Sequence, residues 1–246
     1  MSKLGVNMSY SNDIARLREI LDEVLGGDSS KISSCGFGGG KIALAFSHQI
    51  EDTIALDLTL KAGINRANLE VFTLDTKKLF DESLAYQAEV ARFFDIEIKA
   101  FSAKDSEIIT LENELGEWGI RESVEKRKHC CAVRKIEPLK VALQDKVAWI
   151  SGIRIAQSIT RAETKLIEND ANFALKKINP LFDWEDSKMW DYAKSANLPV
   201  NALYAQGFSS IGCSVCTRAI KEGEDIRAGR WWWENPDHKE CGLHKR

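Results

Sequence analysis

Short apolar runs that alternate with helical patterns occupy the first 152 residues and constrain the fold more than any other feature. The runs have six or seven residues, the usual length of a strand, and they cover residues 41–46, 68–74, 96–101 and 146–152. Segments 51–63 and 80–94, which lie between them, have helical periodicity. Strands that alternate with helices predict the α/β class, a parallel sheet flanked by helices.

The N-terminal region predicts an amphipathic helix and no targeting segment. Residues 11–27 begin with polar residues and end at two glycines. One face of this helix would carry aliphatic residues: Ile14, Leu17, Leu21, Val24 and Leu25. Residues 1–13 have no apolar core, so they do not resemble a signal peptide. No stretch approaches the ~20 apolar residues that span a bilayer, so we expect a cytoplasmic protein without membrane contact.

The charge balance argues against a nucleic-acid partner. The chain has 246 residues and a net charge of −3, so no domain-wide basic field is present. An apolar fraction of 44% suffices for a buried core. The chain has six cysteines. Thiols stay reduced in the cytoplasm, so clustered cysteines are expected to bind metal or to do chemistry more often than to form disulfides.

Four of the cysteines form two local pairs. Cys130 and Cys131 are adjacent, and Cys213 and Cys216 form a C-x-x-C about eighty residues later. Two remote pairs are what a four-thiolate site needs, and both tetrahedral zinc and a [4Fe–4S] cluster accept four thiolates. The side chains of two adjacent cysteines point in diverging directions. This geometry favours a wide cluster, in which each thiolate binds a different iron, over a single zinc ion. The alternative is two buried structural thiols beside an unrelated redox pair.

Polar residues follow two of the predicted strands, where α/β sheets bind ligands. Ser47 ends the first run, just before a predicted helix whose N-terminus could bind phosphate. Arg154 and Arg161 follow the fourth run and are candidate anion contacts. Residues 35–42 superficially resemble a phosphate-binding Walker A loop. They lack its first glycine and its Ser/Thr and precede the strand, so we reject a P-loop NTPase.

The C-terminal stretch carries three consecutive tryptophans, Trp231–Trp233, and a last cysteine, Cys241. The tryptophans could stack on single-stranded nucleic acid. Flanking acidic residues and the missing basic stripe favour packing against the body of the protein instead. Nearby basic residues and His244 could stabilise a thiolate at Cys241, whose alternative role is an idle exposed thiol.

Several motifs together resemble the iron–sulfur branch of the phosphosulfate-reductase family, the assimilatory adenosine 5′-phosphosulfate reductases. They are CCAVRKIEPL, IGCSVCTR, GEDIRAGRWWWE, KECGLH, FTLDT and INPLFDW. The match runs in order from about residue 40 to the end, and the cysteine set with the terminal ECGLH is its most specific part. The resemblance implies a fold of the adenine nucleotide α-hydrolase type, with SHQIED as a modified pyrophosphatase loop. It also implies a nucleotide- and cluster-binding domain over 1–216 and a C-terminal segment, 217–246, that carries the catalytic cysteine.

The resemblance assigns roles to individual residues. Cys241 would be the nucleophile that takes the sulfonate from the substrate, and thioredoxin or a glutaredoxin-like thiol donor would then release sulfite. A [4Fe–4S] cluster would be bound by four cysteines: Cys130, Cys131, Cys213 and Cys216. The substrate would contact eight further residues: Ser47, Leu74, Lys135, Gly152, Arg161, Arg227, Arg230 and His244. A homo-oligomer is compatible with the family.

The sequence departs from the family at three places. Lys77 stands where the family has a glycine after LDT, and SHQIED lacks the small residue that often follows the serine. Cys35 has no counterpart and is expected to be an unpaired bystander. Three alternatives remain at this point: a reductase of the 3′-phosphorylated substrate, an iron–sulfur tRNA-thiolating enzyme and a zinc-stabilised binding module.

Overall fold

The computed structural model describes residues 10–26, 40–116 and 118–235. Its six strands form one sheet in the order β3-β2-β1-β4-β6-β5, in which only the β5–β6 pair is antiparallel. The strands are β1 Lys41–Ala45, β2 Leu69–Leu74, β3 Ile98–Phe101, β4 Lys146–Ile150, β5 Ile167–Asp170 and β6 Leu175–Ile178. The predicted α/β class and the four predicted strands are confirmed.

Seven α-helices flank the sheet within the described residues. They are α1 Ser11–Val24, α2 Ile50–Lys61, α3 Asp81–Phe94, α4 Asp105–Leu115, α5 Val124–Cys131, α6 Glu137–Ala142 and α7 Asp186–Ser195. The predicted N-terminal helix is confirmed as α1, and Gly26 ends it with a left-handed φ of 78°. No helix among the described residues is long and apolar enough to cross a membrane.

The central strand β1 is buried on both faces, as a strand covered by helices on each side must be. Ile42 and Leu44 point into the larger core, which also contains apolar residues of α1, α2 and α7. Ala43 points to the other face and packs in a smaller core with Phe72 and Trp149. The continuous apolar run in β1 therefore reflects its position in the middle of the sheet.

The chain order of the strands creates a crevice at one edge of the sheet. From β1 the chain moves outward through β2 and β3, and it then returns to β4 on the other side of β1. In open α/β sheets, ligands bind beyond the carboxyl ends of the strands at such a reversal. The segments that follow β1, β2 and β4 therefore surround the expected binding site.

Candidate active site

A cavity of about 120 Å³ lies at this crevice, and we call it the strand-end cavity. Seven of the eight substrate-contact residues expected from the resemblance line it: Ser47, Leu74, Lys135, Gly152, Arg161, Arg227 and Arg230. The eighth, His244, lies outside the described residues, as do Cys241 and Cys35. Four of the seven are cationic side chains, so the cavity suits an anion.

The turn between β1 and α2 is built around a buried carboxylate. Asp52 Oδ2 accepts hydrogen bonds from the Ser47 backbone N–H and from Ser47 Oγ, both at 2.7 Å. Asp52 also accepts from the Gln49 backbone N–H at 3.4 Å, which closes the capping box that begins α2. The hydroxyl that the sequence predicts as a phosphate contact is thus oriented by Asp52.

His48, between these residues, is a feature of the cavity wall that the sequence analysis missed. Its backbone φ is 68°, in the left-handed region that favours glycine, and its side chain is 2% exposed. His48 Nε2 lies 3.0 Å from Gln87 Oε1. Burial lowers the pKa of His48, so the imidazole is neutral near pH 7 and adds no charge to the cavity. The sequence signal for this feature is the bulky His48 directly after Ser47, where the resemblance leads us to expect a small residue.

Asp52 gives the fold a specific pH dependence. Burial raises the pKa of its carboxyl from 3.8 to about 7, in spite of the hydrogen bonds it accepts. Protonated Asp52 therefore stabilises the fold fully below about pH 4, and this contribution is lost as the pH rises towards 7. Between pH 5 and 8 we expect wild-type protein to lose about 2–3 kcal/mol more unfolding free energy than Asp52→Asn.

Urea denaturation at a series of pH values measures this difference. Asp57→Asn is the matched control, since Asp57 is a buried carboxylate of the same helix that pairs with Lys61 and Tyr192. The control should keep the steeper wild-type pH dependence. Equal slopes for wild type and Asp52→Asn would contradict the prediction.

Gly152 is required by packing at the end of β4. A Cβ atom there would lie 2.7 Å from Asp52 Oδ1 and 2.9 Å from the backbone carbon of Glu51. Both distances are shorter than real Cβ contacts, so any side chain would push the start of α2 away from the sheet. The glycine thus allows the turn that carries Ser47 to lie against the β4 end.

Arg161 lines the cavity, but Arg154 does not, and its prediction as an anion contact is wrong. The Arg154 side chain is fully buried and donates to Glu51 Oε1 at 3.0 Å and to Asp186 Oδ1 at 2.6 Å. Its charge is therefore satisfied inside the protein. Gln157 links this buried pair to the cavity, since it donates to Glu51 Oε1 and accepts from Arg161 Nη1.

Arg230 reaches the cavity through a gap left by a glycine. A Cβ atom on Gly212 would lie within 2.4–2.6 Å of the Arg230 guanidinium, so only glycine permits this close approach. Arg230 Nη1 donates to the Ile211 carbonyl at 2.9 Å. Within the described part of the chain, Arg230 Nε has no hydrogen-bond partner although it is buried. A buried cationic donor without an acceptor is suited to an anionic ligand.

The four predicted ligand cysteines line a second cavity of about 380 Å³, which we call the thiol pocket. Cys130 and Cys131 end α5, and a π-helical segment, Ala132–Ile136, follows them directly. Such segments interrupt α-helices frequently at functional sites. Cys213 precedes a short 3₁₀ turn, Ser214–Cys216, and Cys216 ends it. The structure therefore brings together two cysteine pairs that are remote in sequence, and none of the four cysteines is in a disulfide within the described residues.

The electrostatics of the thiol pocket differ from one thiol to the next. Burial raises the pKa of Cys216 to about 11, with a further contribution from Cys213. Burial also raises the pKa of Cys213, but this effect is outweighed and the pKa is lowered. The opposing contributions come from Lys135, the hydrogen bond with Thr76, Arg230 and Arg134. The cations thus favour a thiolate at Cys213, whereas the raised pKa values of Cys130 and Cys216 disfavour a second thiolate beside it.

The donor set fits a group that brings its own positive charge. Four thiolates in one pocket could not coexist without such a group, because each thiolate raises the free-energy cost of ionising the next. Among the described residues, no three His, Cys, Asp or Glu side chains are arranged to hold a single metal ion. In a [4Fe–4S] cluster each thiolate binds a different iron, so the four sulfur atoms need not converge on one point.

Two residues, Lys135 and Cys213, line both cavities and join them. A second link is the segment after β2. Thr76 lies 3.3 Å from Cys213 Sγ, and its carbonyl accepts from Arg134 Nη1 at 2.7 Å. The next residue, Lys77, has a φ of 57°, in the left-handed region that favours glycine. An ion pair of 2.8 Å between Lys77 Nζ and Asp75 Oδ2 accompanies this conformation.

Comparison with known proteins identifies the family of the chain. The family model described as the phosphoadenosine phosphosulfate reductase domain matches residues 41–219. The chain belongs to this family. A protein of Allochromatium vinosum named adenosine 5′-phosphosulfate reductase is 44% identical over 205 residues, 83% of this chain and 79% of that protein. A Neisseria meningitidis protein of the same name is 45% identical over 202 residues, 82% of each chain.

Solved structures with low sequence identity share the fold. A phosphoadenylyl-sulfate reductase from Candida auris aligns with a TM-score of 0.58 at 18% identity and covers 87% of this chain and 98% of its own. An NH₃-dependent NAD synthetase from Campylobacter jejuni aligns with a TM-score of 0.52 at 14% identity, over 83% of this chain and 80% of its own. The predicted adenine nucleotide α-hydrolase type of fold is therefore confirmed.

Proposed function

We propose that this protein reduces adenosine 5′-phosphosulfate to sulfite and AMP in assimilatory sulfate reduction. The observation that carries the proposal is that the strand-end cavity and the thiol pocket adjoin and share two lining residues. An anion-binding cavity at the sheet reversal shares Lys135 and Cys213 with a pocket of four thiols. The relatives named adenosine 5′-phosphosulfate reductase, at 44–45% identity, support the same reaction.

The strand-end cavity binds the nucleotide with its phosphosulfate towards the cations. Ser47 and the first turn of α2 offer a hydroxyl and backbone N–H groups at a helix N-terminus, which suit phosphate. Lys135, Arg161 and Arg230 neutralise the charges of the two acid groups. This neutralisation is needed because the nucleophile and the substrate are both anions.

Cys241 supplies the nucleophile. Its thiolate attacks the sulfur of the sulfonyl group, an S–S bond forms, the S–O bond to the phosphate breaks, and AMP leaves with the electron pair. The product on the protein is S-sulfocysteine. Cys241 lies outside the described residues, so its assignment depends on the resemblance of KECGLH to the family.

A dithiol donor completes the cycle. One donor thiolate attacks Cys241 Sγ, the S–SO₃ bond breaks and sulfite leaves. The second donor thiol then attacks the mixed disulfide, which restores the Cys241 thiolate and leaves the donor as a disulfide. Thioredoxin or a glutaredoxin-like protein has the required chemistry.

The thiol pocket holds the cofactor in this proposal. Cys130, Cys131, Cys213 and Cys216 bind a [4Fe–4S] cluster, with Lys135 between it and the substrate. When bound, the cluster supplies an electrostatic contribution to the site and does not carry electrons to the sulfur. We also assign residues 1–216 to nucleotide and cluster binding and 217–246 to the nucleophile-bearing segment, in a cytoplasmic protein for which a homo-oligomer is compatible.

Sulfite release from two nucleotides, assayed side by side with reduced thioredoxin, tests the function. We expect kcat/KM for adenosine 5′-phosphosulfate to exceed that for the 3′-phosphorylated analogue by about 10²-fold or more, because an added phosphate without a built partner is rejected strongly. The opposite preference would favour the 3′-phosphorylated substrate. No sulfite from either nucleotide, with thiolation of tRNA instead, would favour the tRNA-modifying alternative.

A further inference from the structure

Three tryptophans and one arginine form a group at the edge of the thiol pocket, which Trp118 also lines. We call this group the indole patch, formed by Trp118, Arg121, Trp232 and Trp233. The Arg121 guanidinium carbon lies over all three indole rings, at 4.2, 4.9 and 5.1 Å from their centroids. The Trp232 and Trp233 rings meet edge to face, with centroids 4.8 Å apart. Arg121 is exposed and Trp118 is 51% exposed, whereas Trp232 and Trp233 are partly buried, so one side of the stack faces solvent.

The composition of the indole patch is that of a binding surface. Tryptophan and arginine are the residues most enriched among the energetically dominant contacts of protein interfaces. Each cation–π contact orders the three indoles and the guanidinium before a partner binds. The group therefore loses less side-chain entropy on binding than isolated surface residues would. Within the described part of the chain, Arg121 has no ion pair with a carboxylate. Its charge is thus available to an acidic group on a partner.

The position of the indole patch relates it to the nucleophile. Trp233 packs against the apolar cluster of Ile120, Cys216 and Trp231, so the back of the patch touches the thiol pocket. The next residue, Glu234, is fixed by a bidentate ion pair with Arg127, at 2.9 and 2.7 Å, and both side chains are buried. Cys241 follows Glu234 by seven residues, so it lies within about 25 Å of this anchor whatever its conformation.

The dithiol donor needs more surface than the residues around Cys241 can offer. Specific protein complexes bury at least about 1,000 Å² in total, and a few residues around one cysteine provide only a small part of that. The body of the protein must supply the rest within reach of Cys241. The indole patch is the exposed aromatic surface at the root of the segment that carries this cysteine.

We propose that the indole patch is the docking surface for the dithiol protein that discharges Cys241. The partner is a thioredoxin-type protein with an apolar rim beside its cysteine pair and a carboxylate that pairs with Arg121. This inference rests on the proposed function. It adds a place on the body of the protein where the donor binds, while its thiolate attacks Cys241 Sγ, sulfite leaves, and the second donor thiol restores the Cys241 thiolate.

The experiment compares a protein donor with a small one. Arg121→Glu reverses the charge of the patch, and Trp232→Ala removes an indole ring that contacts Arg121 and lines neither cavity. With reduced thioredoxin as the donor, each variant should show a KM for thioredoxin at least about tenfold higher, the scale of an interface hot spot. With dithiothreitol, which needs no docking surface, both variants should turn over at the wild-type rate.

Two further measurements separate the docking role from a structural one. Without any reductant, each variant should form the Cys241 sulfonate as fast as wild type, and each should retain the wild-type iron content. Trp190→Ala is the matched control, since Trp190 is a partly exposed tryptophan on α7 away from the patch. It should leave the KM for thioredoxin unchanged.

Three results would overturn the proposal. An unchanged KM for thioredoxin in Arg121→Glu would show that the donor docks elsewhere. Equal losses with thioredoxin and dithiothreitol would show that the patch serves the site itself. A change of oligomeric state in sedimentation, with the KM for thioredoxin unchanged, would assign the patch to a second copy of the chain. Failure of wild-type protein to form the sulfonate would instead refute the proposed function.

Discussion

Replacement of Cys241 by serine is expected to reduce sulfite release from adenosine 5′-phosphosulfate by more than about 10⁴-fold, the scale on which enzymes lose activity without their covalent nucleophile. A serine hydroxyl is almost fully protonated at neutral pH, whereas a thiol ionises far more readily and is intrinsically more nucleophilic. The cations of the strand-end cavity remain in the variant. It should therefore bind the nucleotide and keep its iron.

A single-turnover measurement identifies the nucleophile directly. Wild-type protein without reductant should release one AMP per site and stop, and mass spectrometry should find the sulfonate on the peptide that contains Cys241. Reduced thioredoxin should then release it as sulfite. Cys35→Ser is the matched control and should form the adduct normally. A sulfonate on Cys35 or on a cysteine of the thiol pocket, with Cys241→Ser still active, would contradict the assignment.

Replacement of Cys213 or Cys216 by serine is expected to remove the cluster and, with it, turnover. Anaerobically purified wild-type protein should contain about four iron and four labile sulfide per chain, as four thiolate ligands imply. A serine hydroxyl binds iron poorly at neutral pH, so either variant should be colourless. Cys130→Ser and Cys131→Ser should behave alike, because all four thiols line one pocket.

Metal analysis and the visible spectrum check this prediction. Cys35→Ser serves again as the control, since Cys35 is not among the proposed ligands, and should keep the full iron content. Chelation of iron from the wild type should abolish turnover in the same way. A colourless wild-type protein with one zinc per chain would contradict the cluster and favour a tetrahedral structural site.

The fold could be predicted to the extent that local periodicity determined it. Strands β1, β2, β3 and β4 are apolar runs because helices cover both faces of the sheet, and their alternation with helices fixes parallel pairing. Strands β5 and β6 escaped prediction. Lys177 sits in the middle of β6 and reads as solvent-exposed, yet it is 4% exposed with Nζ 4.7 Å from the centroid of the Trp149 ring.

The site shows the same division between local and long-range information. The two cysteine pairs were predictable because each is a local pattern, although their convergence requires the sheet. Position after a strand predicted an anion contact for both Arg154 and Arg161. Only the fold distinguishes them, since the carboxylates that neutralise Arg154 come from α2 and α7. Nothing in the local sequence indicates partners that lie 103 and 32 residues away.

The π-helical segment Ala132–Ile136 directly follows Cys131, in the thiol pocket, and contains Lys135, which lines both cavities. An α-helix rotates by about 100° per residue, and a π-turn accommodates one residue more than an α-turn. Deletion of a single residue here would restore regular winding and swing Lys135 by a quarter turn or more relative to the cysteines. The number of residues between Cys131 and Lys135 therefore fixes the angle between their side chains about the helix axis. An insertion or deletion changes this angle and should reduce activity more than a conservative substitution does.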